Sequence, residues 1–504
     1  MRKRQNNASM VFRPWLVALV GGALAALGHA PFHLWFLALP GFVAVVWSVS
    51  RAETPAGGFR NAWFAAAAYF GVSLHWIVEP FLVDAATHGW MAPGALVLLA
   101  GGLALFWGAA GWLAHRLADG PSMIGLAFAV VLTAAEVLRG VLFTGFPWAM
   151  PAYIWAETPL RAAVAFTGSY GLTFLMLVGA ALAAAGVSSK RSGLAAGVLL
   201  GALFAIGMVR LNDSAEERPL GHVGLVHPSI PQSEKWVRSE VPGHIDRLLE
   251  LTRDVTSADP AVDLVVWPEV AVVYPLDVAG PVLVEAARAA GDTLLITGIN
   301  RRTDGDWFNS LVAIGQDGAV GITYDKVHLV PFGEYIPFQL GFLRAMAATS
   351  SNGFSAGDAV RLIETPLGKA LPLICYEGIF PRHVFKAGNR ADYLLLITND
   401  AWFGTFAGPF QHLDQARFRA AEQGLPVVRA ANSGVSTVID RFGRIAAPMG
   451  LADVAARGYP VLSGPPTLYA RTGDMPLFVL LAVALAILLR VKSRNAIAMN
   501  RSSV

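Results

Sequence analysis

The stretch Leu371-Pro372-Leu373-Ile374-Cys375-Tyr376-Glu377-Gly378 runs from a short apolar segment into a polar turn and contains the single cysteine of the 504-residue chain. Four such apolar residues ending in a turn read as a buried strand whose exit carries reactive side chains. A lone thiol makes neither an internal disulfide nor a multi-cysteine metal site. Cys375 is therefore either an inert core residue or a nucleophile. Three runs further out share the pattern: Val262-Asp263-Leu264-Val265-Val266-Trp267, Thr293-Leu294-Leu295-Ile296-Thr297 and Tyr393-Leu394-Leu395-Leu396-Ile397. Helix-like stretches, Pro281–Ala290 and His412–Gln423, lie between them. Buried strands alternating with helices and hairpins predict an α/β sandwich over residues 219–465. In open α/β sheets functional groups gather at strand ends, and these ends carry Glu269, Cys375 and Asn399-Asp400.

Outside this region the composition changes. The chain is 55% hydrophobic and only 14% charged, against about a quarter charged for a soluble protein, and its mean hydropathy is +0.52. A bilayer crossing needs about 20 mostly apolar residues. Such segments fall near 14–30, 33–49, 61–78, 92–114, 122–142, 169–187, 193–210 and 475–491. They predict a polytopic α-helical membrane domain of about eight transmembrane helices, with seven in residues 1–218 and the last in 466–504. Thirteen Lys and Arg residues (Arg2, Lys3, Arg4, Arg13, Arg51, Arg60, Arg116, Lys190, Arg191, Arg490, Lys492, Arg494 and Arg501) cluster at one set of helix ends, against Arg139, Arg161 and Arg210 at the other. The positive-inside rule then places both termini in the cytoplasm and the sandwich outside. The basic start followed by an apolar run is also the pattern of a cleavable signal peptide, but Pro31 and a second span follow at once, favouring an uncleaved helix. The net charge of +3 and the absence of a basic stripe exclude a nucleic-acid partner.

Glu269 follows the apolar run in Trp267-Pro268-Glu269, where Pro268 stops the strand and fixes the exit. Lys326 lies in Tyr324-Asp325-Lys326-Val327-His328-Leu329-Val330-Pro331-Phe332-Gly333-Glu334-Tyr335, whose rigid apolar turn presents a second carboxylate, Glu334. Taken singly, Glu269 reads as a turn carboxylate and Lys326 as a lysine laying its stem over apolar neighbours. His328 has no second ligand nearby and reads as structural, so neither a metal site nor a cofactor is expected. Together the residues make a coherent set. A carboxylate takes the thiol proton, and an ammonium favours both the thiolate and a developing oxyanion. Lys326 lies 57 positions after Glu269 and Cys375 a further 49 after Lys326.

Trp267-Pro268-Glu269, the Lys326 segment and Cys375-Tyr376-Glu377 resemble the Glu-Lys-Cys motifs of the nitrilase (carbon–nitrogen hydrolase) superfamily. The spans narrow the resemblance to the bacterial apolipoprotein N-acyltransferase family, as do Ile230-Pro231-Gln232-Ser233-Glu234-Lys235-Trp236 and Thr398-Asn399-Asp400-Ala401-Trp402-Phe403-Gly404, continuing to Gly408-Pro409-Phe410-Gln411-His412. One departure is Val270, where the family usually has a small hydroxyl residue, which leaves the base intact and bears only on its local hydrogen bonding.

The resemblance implies an α-β-β-α catalytic sandwich facing the periplasm from the bacterial inner membrane, working as a monomer. It implies acyl transfer from a phospholipid, through a thioester on Cys375, to the α-amino group of a lipoprotein's diacylglyceryl-cysteine. Glu269 would be the base, Lys326 the oxyanion partner and Glu334 the residue that positions Lys326. Tyr376 and Glu377 would shape the pocket, and Trp236 would touch substrate or gate access. Phe338–Ala348, with Phe338 and Phe342, reads either as an arm dipping into the lipid interface or as a buried helix. Phe146-Pro147-Trp148 reads as an aromatic wall or an interfacial anchor. Two rivals remain: a membrane-tethered amidase in which water resolves the thioester, and a transporter or sensor whose outer domain only binds. The first needs one helix rather than eight. The second predicts few ionisable groups at strand ends.

Overall fold

Alternation within the strands sets the layers. Leu264 and Val266 of one strand face a core shared with Tyr393, Leu395 and Ile397 of another. Their neighbours Val265 and Trp267 pack outward, in one cluster with residues of the helices Val241–Thr256 and Gly280–Ala290. Leu394 and Leu396 face the opposite outer layer, which includes the helix Gly408–Gln423. A period of two with both faces apolar is what a sheet covered on both sides requires. The computed structural model describes residues 13–337, 353–388 and 390–502. Its strands are β1 (Arg218–His227), β2 (Leu264–Val266), β3 (Leu294–Thr303), β4 (Asp306–Ile314), β5 (Val320–Asp325), β6 (Ile363–Thr365), β7 (Gly368–Ile374), β8 (Tyr393–Thr398), β9 (Val427–Ala431), β10 (Thr437–Ile439) and β11 (Ala455–Ser463).

They form two sheets, ordered β11-β1-β2-β3-β4-β5 and β10-β9-β8-β7-β6. Each has a parallel centre, β1-β2-β3 in one and β7-β8-β9 in the other, flanked by antiparallel strands. The result is the α/β sandwich expected from the strand pattern, with the α-β-β-α layering that the resemblance implies. The exits of β2, β5, β7 and β8 carry the residues singled out above.

The helical region differs in detail from a simple set of eight spans. Among the described residues, five helices are long and apolar enough to cross a bilayer: Ala85–Leu117, Pro121–Arg139, Leu160–Gly186, Lys190–Leu211 and Met475–Asn495. A sixth crossing arises if the pair Pro55–Ser73 and His75–Leu82, bent by 63°, counts as one. Pro14–Ala26 and Trp35–Ser50 have 13 and 16 residues. At about 1.5 Å per residue they fall short of the roughly 30 Å hydrocarbon layer.

The bend at Leu74 frees the Ser73 carbonyl, and the loop after Pro14–Ala26 frees that of Ala30. Both accept hydrogen bonds from Gln411 Nε2, at 2.9 and 3.0 Å. Gln411 Oε1 accepts from Trp148 Nε1 at 2.8 Å and Trp76 Nε1 at 3.2 Å. One amide on the sandwich thus closes four bonds with the helical region, its full capacity.

Candidate active site

Glu269 leaves β2 beside β3, where Gly298 admits the close approach: a Cβ at that position would lie 2.6 Å from Glu269 Cα. The next residue, Val270, sits at φ +46°, a costly conformation for a β-branched side chain. The carboxylate finds its partners elsewhere. Asn309 Nδ2 on β4 donates to Oε1 at 2.8 Å, and the Asn399 backbone N–H beyond β8 donates to Oε2 at 2.8 Å. The local bonding left open by Val270 is therefore supplied from neighbouring strands.

Lys326 follows β5, its backbone N–H bound to the Asn309 carbonyl at 2.8 Å. Its ammonium lies 2.9 Å from Glu334 Oε1 and 3.6 Å from Glu269 Oε1. Asn309 Nδ2 also reaches Glu334 at 3.0 Å, and Glu334 accepts the Val330 N–H at 2.8 Å. Burial disfavours the charge on Lys326, but the two carboxylates more than offset it and hold its pKa above the ordinary lysine value.

Cys375 follows β7 and opens the 3₁₀ turn Cys375–Ile379 at φ +52°, strain of the kind that collects at functional sites. Glu269, Lys326 and Cys375 are 6%, 1% and 6% exposed. Burial pushes the Cys375 thiol up, Glu269 adds to that, and Lys326 and the Thr398 hydroxyl pull only part of the way back. The resting group is therefore a thiol, and attack requires a base.

Glu377 locks the site together. It accepts N–H bonds from Ile374 at 2.8 Å, Val327 at 2.8 Å and His328 at 3.1 Å, and the Tyr324 hydroxyl at 3.1 Å. It thereby ties the Lys326 segment to the strand that delivers Cys375. Burial raises its pKa to about 7 against the downward pull of those backbone donors and Lys326. Behind Cys375, Asp400 accepts from Thr398 at 2.8 Å, pairs with His412 Nδ1 at 2.8 Å and is bridged by Arg429. Burial pushes Asp400 up, yet Arg429 and His412 outweigh it and hold it below the usual carboxylate value. His412 Nε2 lies 3.3 Å from the Cys375 carbonyl.

Comparison with known proteins bears on both halves of the chain. Residues 21–182 match the apolipoprotein N-acyltransferase N-terminal domain, and residues 223–452 match the carbon-nitrogen hydrolase family. The apolipoprotein N-acyltransferase of Rhodopseudomonas palustris is 37% identical, with 94% of each chain covered. This chain belongs to the apolipoprotein N-acyltransferase family. The proteins of that name from Bradyrhizobium diazoefficiens and Caulobacter vibrioides are 36% and 35% identical, covering 95% of this chain and 95% and 96% of their own.

Of the residues singled out from the sequence, Glu269, Lys326, Cys375, Glu334 and Glu377 fall together here. Tyr376 is also buried, its hydroxyl bound to the Gly145 carbonyl at 3.0 Å. Trp236 is 51% exposed, on a turn beside the site. Trp148 is not at a lipid interface: it is 1% exposed, bonded to Gln411, with Trp76 4.5 Å away ring to ring. It joins the sandwich to the helices and offers no open wall. Phe338 and Phe342 lie outside the described residues. His328 packs on Phe380 at 4.0 Å, which suits a structural role. Asn309, Gln411 and Lys235 escaped the sequence reading as functional residues. Lys235 and Gln411 stand in quoted strings without a role, whereas Asn309 has no local signal, its position depending on the β3-β4-β5 register.

Proposed function

We propose that this chain is an apolipoprotein N-acyltransferase that moves an acyl chain from a phospholipid to the α-amino group of a diacylglyceryl-cysteine, through a thioester on Cys375. One observation carries the lipid reading. The turn that begins with the nucleophile is built into the apolar core of the helical region, where Tyr376, Ile379 and Phe380 share one buried cluster with Trp76 and Trp148. A soluble amidase has no use for a nucleophile seated on membrane helices. A diacyl substrate does, since each CH₂ held in lipid is worth about 0.8 kcal/mol.

In the first half-reaction Glu269 takes the Cys375 proton as sulfur attacks the ester carbonyl. Lys326 and the Tyr376 N–H stabilise the oxyanion. Glu269 returns the proton to the departing alcohol oxygen, releasing a lysophospholipid and leaving the thioester. In the second, the amine attacks the thioester and Glu269 accepts its proton. Collapse expels the Cys375 thiolate, which recovers that proton. Glu334 holds Lys326 on its axis, and Trp236 guards the approach of the second substrate.

In this reading the sandwich lies on the periplasmic face of the inner membrane with both termini in the cytoplasm, which the bias of Lys and Arg to one set of helix ends supports. The five long helices and the bent pair make six crossings, and the two short helices would make eight only by crossing where the layer is thinner; either even count keeps both termini on one side. Lys492 Nζ bonds to the Arg116 carbonyl, which brings two of the basic helix ends together. At the other end Arg161 reaches the Phe442 carbonyl of the sandwich at 3.3 Å. A C-terminal fluorescent-protein fusion is expected to fluoresce, and an active C-terminal alkaline phosphatase fusion would contradict the orientation.

The function is tested with full-length enzyme, acyl-labelled phospholipid and a diacylated lipopeptide. Labelled triacylated peptide is the expected product. Free labelled fatty acid in its place would favour the hydrolase.

A further inference from the structure

Lys235 has no part in the scheme above, yet it is as deeply buried as Lys326, at 1% exposed. Its turn closes on itself through the Lys235 N–H to the Pro231 carbonyl at 3.1 Å. From there the side chain runs inward, and Nζ donates to the backbone carbonyl of Glu269 at 3.2 Å. The same turn grips the base from a second direction. Gln232 Oε1 accepts from Asn399 Nδ2 at 2.9 Å, and the Asn399 N–H holds Glu269 Oε2. Asn432 fastens the start of the turn, donating to the Ile230 carbonyl and to Asn399 Oδ1, both at 2.9 Å.

A buried ammonium is costly unless it balances charge. Around Cys375, Lys326 is shared between two carboxylates, Glu269 and Glu334, and buried Glu377 also feels its charge, so acidic groups outnumber this one cation before any thiolate forms. Asp400 on the far side is already matched by Arg429 and His412. On its outer side Lys235 acts on buried His244, which also feels Arg247 and the exposed Glu234 and Glu240. Lys235 is a second buried cation, set directly behind Glu269.

Building on the proposed acyl transfer, we infer that Lys235 is a positioning residue for it, a second cation that fixes the Glu269 turn and offsets part of the negative charge of the chamber in which the thiolate forms. Its own environment fits: burial lowers its pKa to about 8, and Glu269 is the group that opposes the shift. The proton shared by Cys375 and Glu269 stays inside the set during transfer. The net charge of the set therefore stays constant through the step, and Lys235 lessens the negative charge beside which the oxyanion forms. The residue after Lys235 is Trp236, so substrate contact at the mouth is one peptide bond from the group that steadies the base.

The test is the pH dependence of thioester formation in full-length enzyme given acyl-labelled phospholipid alone, with Lys235→Gln, Lys235→Met and Lys235→Arg. Removing a nearby cation raises the pKa of groups that must lose a proton. The acid limb of the Gln and Met variants should therefore move up by about one pH unit, with the deficit narrowing as pH rises. Lys235→Arg should keep the wild-type limb. Thermal unfolding identifies which variants fold, and either neutral variant carries the prediction. A limb at the wild-type position in a folded neutral variant, whether its rate is normal or uniformly low, would overturn the inference and reduce Lys235 to a loop anchor. Failure of wild-type enzyme to form any adduct would instead strike the proposed function.

Discussion

The reaction chamber and the junction beneath it are both buried polar networks, yet they are built on opposite principles. At the junction, Gln411 is neutral and every hydrogen-bonding position of its amide is used, on Trp76, Trp148, Ala30 and Ser73. In the chamber, Lys326 stands between two carboxylates at unequal distances, 2.9 and 3.6 Å, beside a thiol that burial keeps protonated. A closed neutral network fixes geometry at little electrostatic cost. An ionic network with a movable proton retains the freedom that chemistry needs. The first kind joins the domain that carries the second to the helical region.

That contrast is broken most severely at Lys326. Lys326→Ala removes the proposed side-chain oxyanion donor and should slow thioester formation by about 10²–10³-fold, measured by rapid quench. Glu377→Gln comes next. An amide NH₂ would face the backbone donors that now converge on the carboxylate, at about 1–3 kcal/mol for an unsatisfied buried group. Roughly 10- to 100-fold lower activity follows if that cost falls on the Cys375–Lys326 geometry, and a fall of that size with unchanged Tm would show that it does. The thiol itself sharpens the comparison. Because Cys375 is protonated at rest, its alkylation by a small reagent should be slow at neutral pH and rise about tenfold per pH unit. The smallest effect belongs to the neutral network. Gln411→Ala leaves two indole N–H groups and two carbonyls without that partner and should lower Tm by about 5 °C. Its thioester chemistry should suffer less than that of Lys326→Ala.

The two regions also differed in how readily the sequence disclosed them. Strand ends and the Glu269, Lys326 and Cys375 motifs are local patterns, and the two-residue alternation of β2 and β8 already encodes a sheet covered on both faces. The partners of those residues are not local. Asn309 reaches Glu269 only through hairpin register, and Gln411 meets Trp76 across 335 positions. Hydropathy counts apolar residues without reading backbone direction. It therefore drew a continuous span over 61–78 where the chain turns by 63° after Ser73. The interfacial preference of tryptophan likewise read Trp148 as a wall or an anchor, whereas Gln411 holds that ring buried in the junction.

The central claim is that Cys375 carries the acyl group, and mass spectrometry of the intact enzyme incubated with phospholipid alone tests it most directly. The account predicts one acyl adduct on wild-type protein, cleaved by neutral hydroxylamine, absent from Cys375→Ser and discharged by a diacylated lipopeptide far faster than by water. A wild-type enzyme that makes triacylated product with no such adduct, or an equivalent hydroxylamine-labile adduct on Cys375→Ser, would contradict it.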